Sequence, residues 1–271
     1  MNKIYYKVLT IAGSDSGGGA GIQADLKTFS ALGCFGMSVI TALTAQNTKT
    51  VKSIYEVPPL FISEQIDAIM EDMGVDAVKI GMLHNSEVIL TIANQLKKWK
   101  IKKIVLDPVM VSKSNHTLLQ ADAIKTLKTK LMPLASMITP NIPEAELMSG
   151  IQIKSKTEMK NAAKKLIDLG AQAVLLKGGH LSGNICHDYF ISVESGILFE
   201  HWLENNRVNT QNTHGTGCTL SSAITAHLAQ NKTVIDAVFL AKEYLVQAIK
   251  SGADFKLGNG HGPVHHFHSW W

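Results

Sequence analysis

Residues 8–44 read VLTIAGSDSGGGAGIQADLKTFSALGCFGMSVITALT, one complete strand, turn, helix and strand in succession. Val8–Ala12 is a short apolar run that predicts a strand, and Gly13–Gly21 a glycine-rich turn. Ile22, Leu26 and Phe29 then recur at the spacing of one helical face, and Gly33 stops that helix. Phe35–Thr44 returns as a second strand. A strand, a crossover helix and a strand of this size form a βαβ unit, which lays both strands parallel in one sheet.

The rhythm continues outward from that unit. Strand Ile54–Val57 meets the breaker Pro58-Pro59, and a helix through Ile62, Ile66, Ile69 and Met73 ends at Gly74. Strand Ala77–Ile80, helix Glu87–Trp99 and strand Ile104–Val109 follow, then a helix near Ala121–Leu131 and a short strand at Met137–Thr139. Ser155 and Glu158 have capping-box spacing for a helix that ends at Gly170, and Ala173–Lys177 is the next strand. Cys186–Ser192 and Ile197–Trp202 predict an antiparallel hairpin turning at Glu194-Ser195-Gly196. Helices Gly215–Gln230 and Val234–Lys250 close the pattern. The expectation is an α/β fold in one domain over residues 1–271, with a mostly parallel sheet covered on both faces.

Composition excludes several classes. With 271 residues, 45% hydrophobic and 18% charged, the chain has the makings of a large core and is not a disordered or fibrous sequence. The net charge of +4 comes from scattered lysines, and Arg207 is the single arginine. Groove reading and bidentate phosphate contacts favour arginine, so no nucleic-acid partner is expected. The uncharged run Thr28–Thr48 is long enough to span a bilayer, but its Thr, Ser, Gln and Asn content argues against a membrane segment. No signal peptide is read at the N-terminus. Cys34, Cys186 and Cys218 are odd in number and lack ligand spacing, which fits a reducing, cytoplasmic setting.

Chemistry-bearing residues cluster at predicted strand ends. The loop Gly13–Gly21 is expected to offer unpaired amides to an anion. Its Gly19-Ala20-Gly21-Ile22-Gln23-Ala24 fits a relaxed dinucleotide fingerprint, but no acid lies between Asp25 and Glu56 to bind a ribose. The chain has no Gly-Lys pair, which excludes a Walker P-loop. Thr213-His214-Gly215-Thr216-Gly217-Cys218-Thr219 precedes an apolar helix, so its amides and the helix dipole can stabilise charge on a phosphoryl group. Asn141 and Glu144 suit a magnesium ion or its waters, although Pro143-Glu144 also reads as an ordinary helix start. Asp107 ends one strand and Lys177, in Lys177-Gly178-Gly179-His180, ends another. The combination points to nucleotide-dependent phosphoryl transfer by positioning and charge stabilisation.

Seven blocks in order, AGSDSGGGAGIQADLKTF, TALTAQNT, DPVMVSKS, TPNIPEAE, LLKGGH, HGTGCTLSSAI and GHGPVHHFHSWW, resemble the hydroxymethylpyrimidine and phosphomethylpyrimidine kinases of thiamin biosynthesis, within the ribokinase-like superfamily. The resemblance runs from residue 8 to 271. It implies ATP and Mg²⁺ as co-reactants, a homodimer, and two successive phosphorylations of 4-amino-5-hydroxymethyl-2-methylpyrimidine. It also implies a pyrimidine pocket of Gly13, Asp25 and Gln46 with Met82 and Val109 as apolar walls. Gln46 offers both a donor and an acceptor to an aminopyrimidine. Asn141 and Glu144 would organise the metal, Asp107, Lys177, Gly215 and Gly217 would meet phosphates, and Thr216, Cys218 and Lys242 would complete the catalytic set.

Cys218 stands where related sugar kinases carry an aspartate base. It is expected to assist proton removal in the first step, its pKa lowered by the helix N-terminus and Lys242, with simple positioning of substrate as the alternative. The closest competing reading is a pyridoxal kinase. Dual-activity relatives carry Cys within the segment Met110-Val111-Ser112-Lys113, where this chain has Ser112. A non-catalytic pyrimidine sensor is the competitor from another class. Ser112–Leu119 is the expected lid.

Overall fold

In the computed structural model, which describes residues 4–110, 119, 122–194 and 196–271, nine strands form one sheet. They are β1 (Lys7–Asp15), β2 (Phe35–Gln46), β3 (Val51–Glu56), β4 (Ala77–Ile80), β5 (Ile104–Leu106), β6 (Met137–Ile138), β7 (Ala173–Leu176), β8 (Ile185–Glu194) and β9 (Ile197–Asn206). The order is β3-β2-β1-β4-β5-β6-β7-β8-β9. The central six strands, β2 to β7 in that order, run parallel; β3 and β8 run against them, and β9 pairs antiparallel with β8.

Alternation along the strands explains why both faces are covered. Leu9 and Ile11 of β1 face one core with Val78, Ile80, Ile104 and Leu106, while Val8, Ala77 and Val105 face the other. The first core is closed by α2 (Pro59–Asp72), α3 (Ser86–Lys98), α5 (Ile142–Ser149) and α6 (Lys156–Asp168). The second is closed by α1 (Gly21–Ala31), α7 (Thr216–Ala229) and α8 (Val234–Gly252). The chain leaves β1 toward β2 on one side and later returns to β4 on the other. This topological switch opens a crevice at the carboxyl ends of the strands, where open α/β sheets bind ligands.

Several boundaries differ from the sequence expectation for identifiable reasons. β1 runs on to Asp15 through a bulge between Ala12 and Ser14, so the loop is shorter than Gly13–Gly21. β5 stops at Leu106 because Pro108 has no N–H to donate. The helix expected at Ala121–Leu131 is a four-residue α4 (Ala123–Thr126) that widens into a π turn at Leu127–Leu131 and tightens into a 3-10 turn at Met132–Leu134, around Pro133. Ser155 caps α6, but the Glu158 carboxylate takes the N–H of Lys154. The reciprocal capping box lies at Asn141 and Glu144 instead. Of the expected lid Ser112–Leu119, all but Leu119 lies outside the described residues.

Residues 258–271 fold back as a strap. The His261 N–H reaches the Thr48 carbonyl, the Gly262 carbonyl accepts the His214 N–H, and Trp270 Nε1 donates to Ala31. The strap thereby braces the loop ahead of α7. The uncharged run Thr28–Thr48 is divided between α1 and β2, and among the described residues no helix is long and apolar enough to cross a membrane.

Candidate active site

The glycine loop is organised from within. Asp15 is 3% exposed. Its Oδ1 accepts the Gly17 N–H at 2.8 Å, and its Oδ2 accepts those of Gly19 at 3.1 Å and Ala20 at 2.8 Å and faces His214 Nε2 at 2.8 Å. The Gly18 N–H goes to the Asp15 carbonyl. Burial works against the Asp15 charge, but His214 and the backbone amides outweigh it and hold the carboxyl below its usual range. This corrects the expectation of free amides in the first loop, because those of residues 17 to 20 are already spent. What the loop supplies is close approach of backbone to backbone.

That approach is to the second loop. Gly215 has φ +78°, and a Cβ there would overlap the Gly19 carbonyl oxygen. Only glycine tolerates both conditions. Gly215 starts α7, which carries no side-chain cap; the Thr216 N–H goes to the Thr213 carbonyl at 3.4 Å, which leaves the amides of Gly217 and Cys218 available to an anion. A Cβ on Gly217 would lie 3.4 Å from Lys177 Nζ and 3.6 Å from Asp107 Oδ2. The cation and the carboxylate therefore stand directly over the helix N-terminus, and Thr216 lies within that first turn.

The third part comes from the ends of β5, β6 and β7. Asp107 is 1% exposed and accepts from Lys177 Nζ at 2.9 Å, Thr139 Oγ1 at 3.1 Å and Ser221 Oγ at 3.3 Å. Burial opposes its charge, yet Lys177 and Lys79 prevail and keep it below the ordinary carboxylate range. Burial likewise opposes the Lys177 charge, which Asp107 and Glu144 hold on. Asn141 pairs with Lys177 as an isolated parallel bridge. Asn141 Oδ1 accepts the Glu144 N–H at 2.9 Å and the Glu144 carboxylate accepts the Asn141 N–H at 2.8 Å. Burial, with Asp107 adding to it and Lys177 opposing, pushes the Glu144 carboxyl up to about 7.

Two carboxylates share one lysine here, and that charge imbalance tests the metal expectation. Among the described residues no group of three or more His, Cys, Asp or Glu side chains gathers into a metal cage. A buried carboxylate beside an amide fits instead a hydrated Mg²⁺ that keeps its waters and arrives with phosphates.

The expected pyrimidine residues divide into two groups. Met82 packs on Ala42 and Val109, and a Cβ on Gly13 would stand 2.9 Å from Met82 Sδ, so these residues form one small apolar wall. Gln46 ends β2, half-buried, with its amide near Thr44 and His214. Asp25 is fully buried in α1, where Thr10, Ser222 and Lys79 occupy its oxygens at 2.6 to 3.0 Å. Its carboxylate is spent beneath the loop.

Cys218 sits in the first turn of α7. Burial pushes its thiol up to about 11; Lys79 opposes that, and Asp25 and Asp107 add to it. The expected lowering does not occur, and Lys242, the cation invoked for it, is bonded to Asp188. Asp188 in turn accepts the Gly178 N–H at 2.8 Å, so Lys242 supports the Lys177 turn from behind.

Sequence reasoning passed over Asp15, His214, Lys79 and Asp188. Asp15 carried a readable signal, since Asp followed by glycines at the second and fourth positions is a turn former that caps its own backbone. The other three act through partners 54 to 199 residues distant, which no local pattern encodes.

Three comparisons bear on this geometry. A family model described as phosphomethylpyrimidine kinase matches residues 15–265. A hydroxymethylpyrimidine/phosphomethylpyrimidine kinase of Rhizobium meliloti is 50% identical over 264 residues, 97% of either chain. Among solved structures, phosphomethylpyrimidine kinase of Clostridium difficile matches with a TM-score of 0.78 at 48% identity, covering 90% of this chain and 99% of its own. The ADP complex of Bacillus subtilis pyridoxal kinase matches with a TM-score of 0.88 at 39% identity, covering 97% and 98%. Agreement in sequence and fold over nearly the whole length shows that the chain belongs to the phosphomethylpyrimidine kinase family.

Proposed function

We propose that this protein is an ATP-dependent kinase that phosphorylates 4-amino-5-hydroxymethyl-2-methylpyrimidine to its monophosphate and then to the diphosphate used in thiamin biosynthesis. The observation that carries this reading is the convergence of the uncapped α7 N-terminus, Lys177, Asp107 and Glu144 at the carboxyl edge of the sheet. Within it the α7 N-terminus and Lys177 supply positive potential where charge spreads over a transferring phosphoryl group, and catalysis is then positioning plus electrostatics.

In this reading the amides of Gly215, Gly217 and Cys218 cradle the phosphoryl oxygens, and Lys177 and Asp107 bracket the ATP phosphates. Asn141 and Glu144 hold the waters of Mg²⁺, which neutralises phosphate charge. Gln46 reads the aminopyrimidine edge, and Gly13, Met82 and Val109 flank the ring. Asp25 and Lys242 are positioning residues, acting through Lys79 and Asp188. A thiol pushed up to about 11 is protonated at neutral pH, so Cys218 orients the hydroxymethyl group instead of taking its proton.

The catalytic unit is residues 1–271, with a small-molecule pyrimidine and ATP as its ligands and no nucleic-acid or membrane partner. Three free cysteines suit a cytoplasmic setting. A homodimer follows from the resemblance, and exposed Tyr55, Leu60 and Phe61 beside edge strand β3 support it. Sedimentation velocity tests that assembly.

A second reading, a pyridoxal kinase, has one observation in its favour, the fold match to the Bacillus subtilis enzyme. Both readings are separated by kcat/KM for the pyrimidine alcohol, its monophosphate and pyridoxal under identical ATP and Mg²⁺. A pyrimidine preference of tenfold or more supports the thiamin assignment. A pyridoxal preference overturns it, and transfer to none of the three leaves a sensor.

A further inference from the structure

Gln46 sits at the meeting point of both loops, and its hydrogen-bond partners dictate which way its amide faces. Thr44 Oγ1 lies 2.8 Å from the Ser14 carbonyl, which has no proton, so the hydroxyl donates there. Gln46 stands with Oε1 3.1 Å from that hydroxyl and Nε2 toward His214, but a hydroxyl whose one proton is committed to Ser14 can only accept, which favours exchanging the two ends of the amide. On the other side, His214 Nε2 lies 2.8 Å from Asp15 Oδ2. Asp15 already accepts three backbone N–H groups and is held ionised, so the proton of that contact resides on His214 Nε2. The Gln46 amide is 3.4 Å from the same nitrogen. Placing the amide nitrogen there would set two N–H donors against each other. With the carbonyl there and the nitrogen toward Thr44, that opposition is removed: Oε1 faces the Nε2–H that His214 directs mainly to Asp15, and the Gln46 N–H meets the Thr44 oxygen.

We infer that Asp15 and His214, together with Thr44, are positioning residues for acceptor specificity: they lock the Gln46 amide with Oε1 toward His214 and Nε2 toward Thr44. The locked amide keeps one lone pair on Oε1 and one N–H on Nε2 for a ligand, side by side in a fixed order. An aminopyrimidine edge presents the complement, an amino donor next to a ring-nitrogen acceptor. The strap contributes by holding the His214 backbone through Gly262. The inference rests on the aminopyrimidine acceptor proposed above.

The test measures discrimination, which loss of general scaffolding would not change. The full-length enzyme is assayed with 4-amino-5-hydroxymethyl-2-methylpyrimidine and with the analogue lacking the 4-amino group, and the ratio of kcat/KM is taken. His214→Phe keeps a ring and removes the donor, and Thr44→Val removes the opposite partner at a separate position. The ratio is expected to shrink about five- to tenfold in each, the weight of one or two neutral hydrogen bonds. His214→Gln, which restores an N–H, is expected to recover most of it. A parallel fall for both acceptors, leaving the ratio unchanged in both variants, would overturn the positioning role while the kinase assignment stands. Failure of the wild-type enzyme to transfer phosphate to either acceptor would overturn both.

Discussion

Gly215→Ala perturbs the contact between the two loops most directly. The residue has φ +78°, where a Cβ costs about 1–2 kcal/mol, partly offset by a stiffer unfolded chain. Gly33 isolates that backbone cost, because it has φ +76° with nothing within 4 Å of its Cβ position. Gly33→Ala should therefore lower Tm by only about 2–4 °C and leave turnover alone. At Gly215 the new methyl also overlaps the Gly19 carbonyl, so the loops must part by more than about 1 Å to restore van der Waals distance. A displacement of that size at an anion-binding helix start lowers kcat about 100-fold. Steady-state kinetics and thermal unfolding of both variants check this. Gly215→Ala with kcat within threefold of wild type would refute the claim that loop contact sets the site.

Three more outcomes follow from buried groups. Asp25→Asn leaves Lys79 as a buried, uncompensated cation and should cost about 3–5 kcal/mol in denaturant unfolding, whereas Asp25→Leu with Lys79→Met should recover most of it; equal losses in the single and double variants would contradict the ion-pair account. Cys218→Ala should slow the first and second phosphorylations by the same factor, and a loss confined to the first would reinstate a proton-abstracting thiol. His266, 5% exposed and facing Thr219 Oγ1 at 3.1 Å, is pushed down to about 3 by burial. Its folded value lies below the unfolded value of about 6.5, so stability is full above pH 6.5 and falls as the pH drops toward 3. About 2 kcal/mol is lost by pH 5. His266→Gln should flatten that limb in urea titrations at pH 7 and pH 5; an unchanged slope would assign it to other groups.

The parallel core was legible because each strand there is short, apolar and followed by an amphipathic helix, so two periodicities agreed with one topology. The strand ends were legible as well, since Asp107, Asn141 and Lys177 break apolar runs with polar groups. What could not be read is where polar groups spend their hydrogen bonds. The glycine loop looks like an anion cradle until Asp15 takes its amides, and the reading of Asn141 with Glu144 as a metal pair could not show that a capping box also draws on an oxygen of each. Asp25 looks like a pocket acid until Lys79 meets it from β4. The irregular segment after α4 was missed because Pro133 acts on the turn before it, while the apolar spacing there still suits a regular helix.

The most direct test of the account is a time course with purified enzyme, ATP, Mg²⁺ and the hydroxymethylpyrimidine alone, with products resolved by mass. The account predicts that the monophosphate rises first and is then consumed to diphosphate, with two ADP released per diphosphate formed. A single phosphorylation that stops at the monophosphate, or ADP release without a phosphorylated pyrimidine, would contradict it.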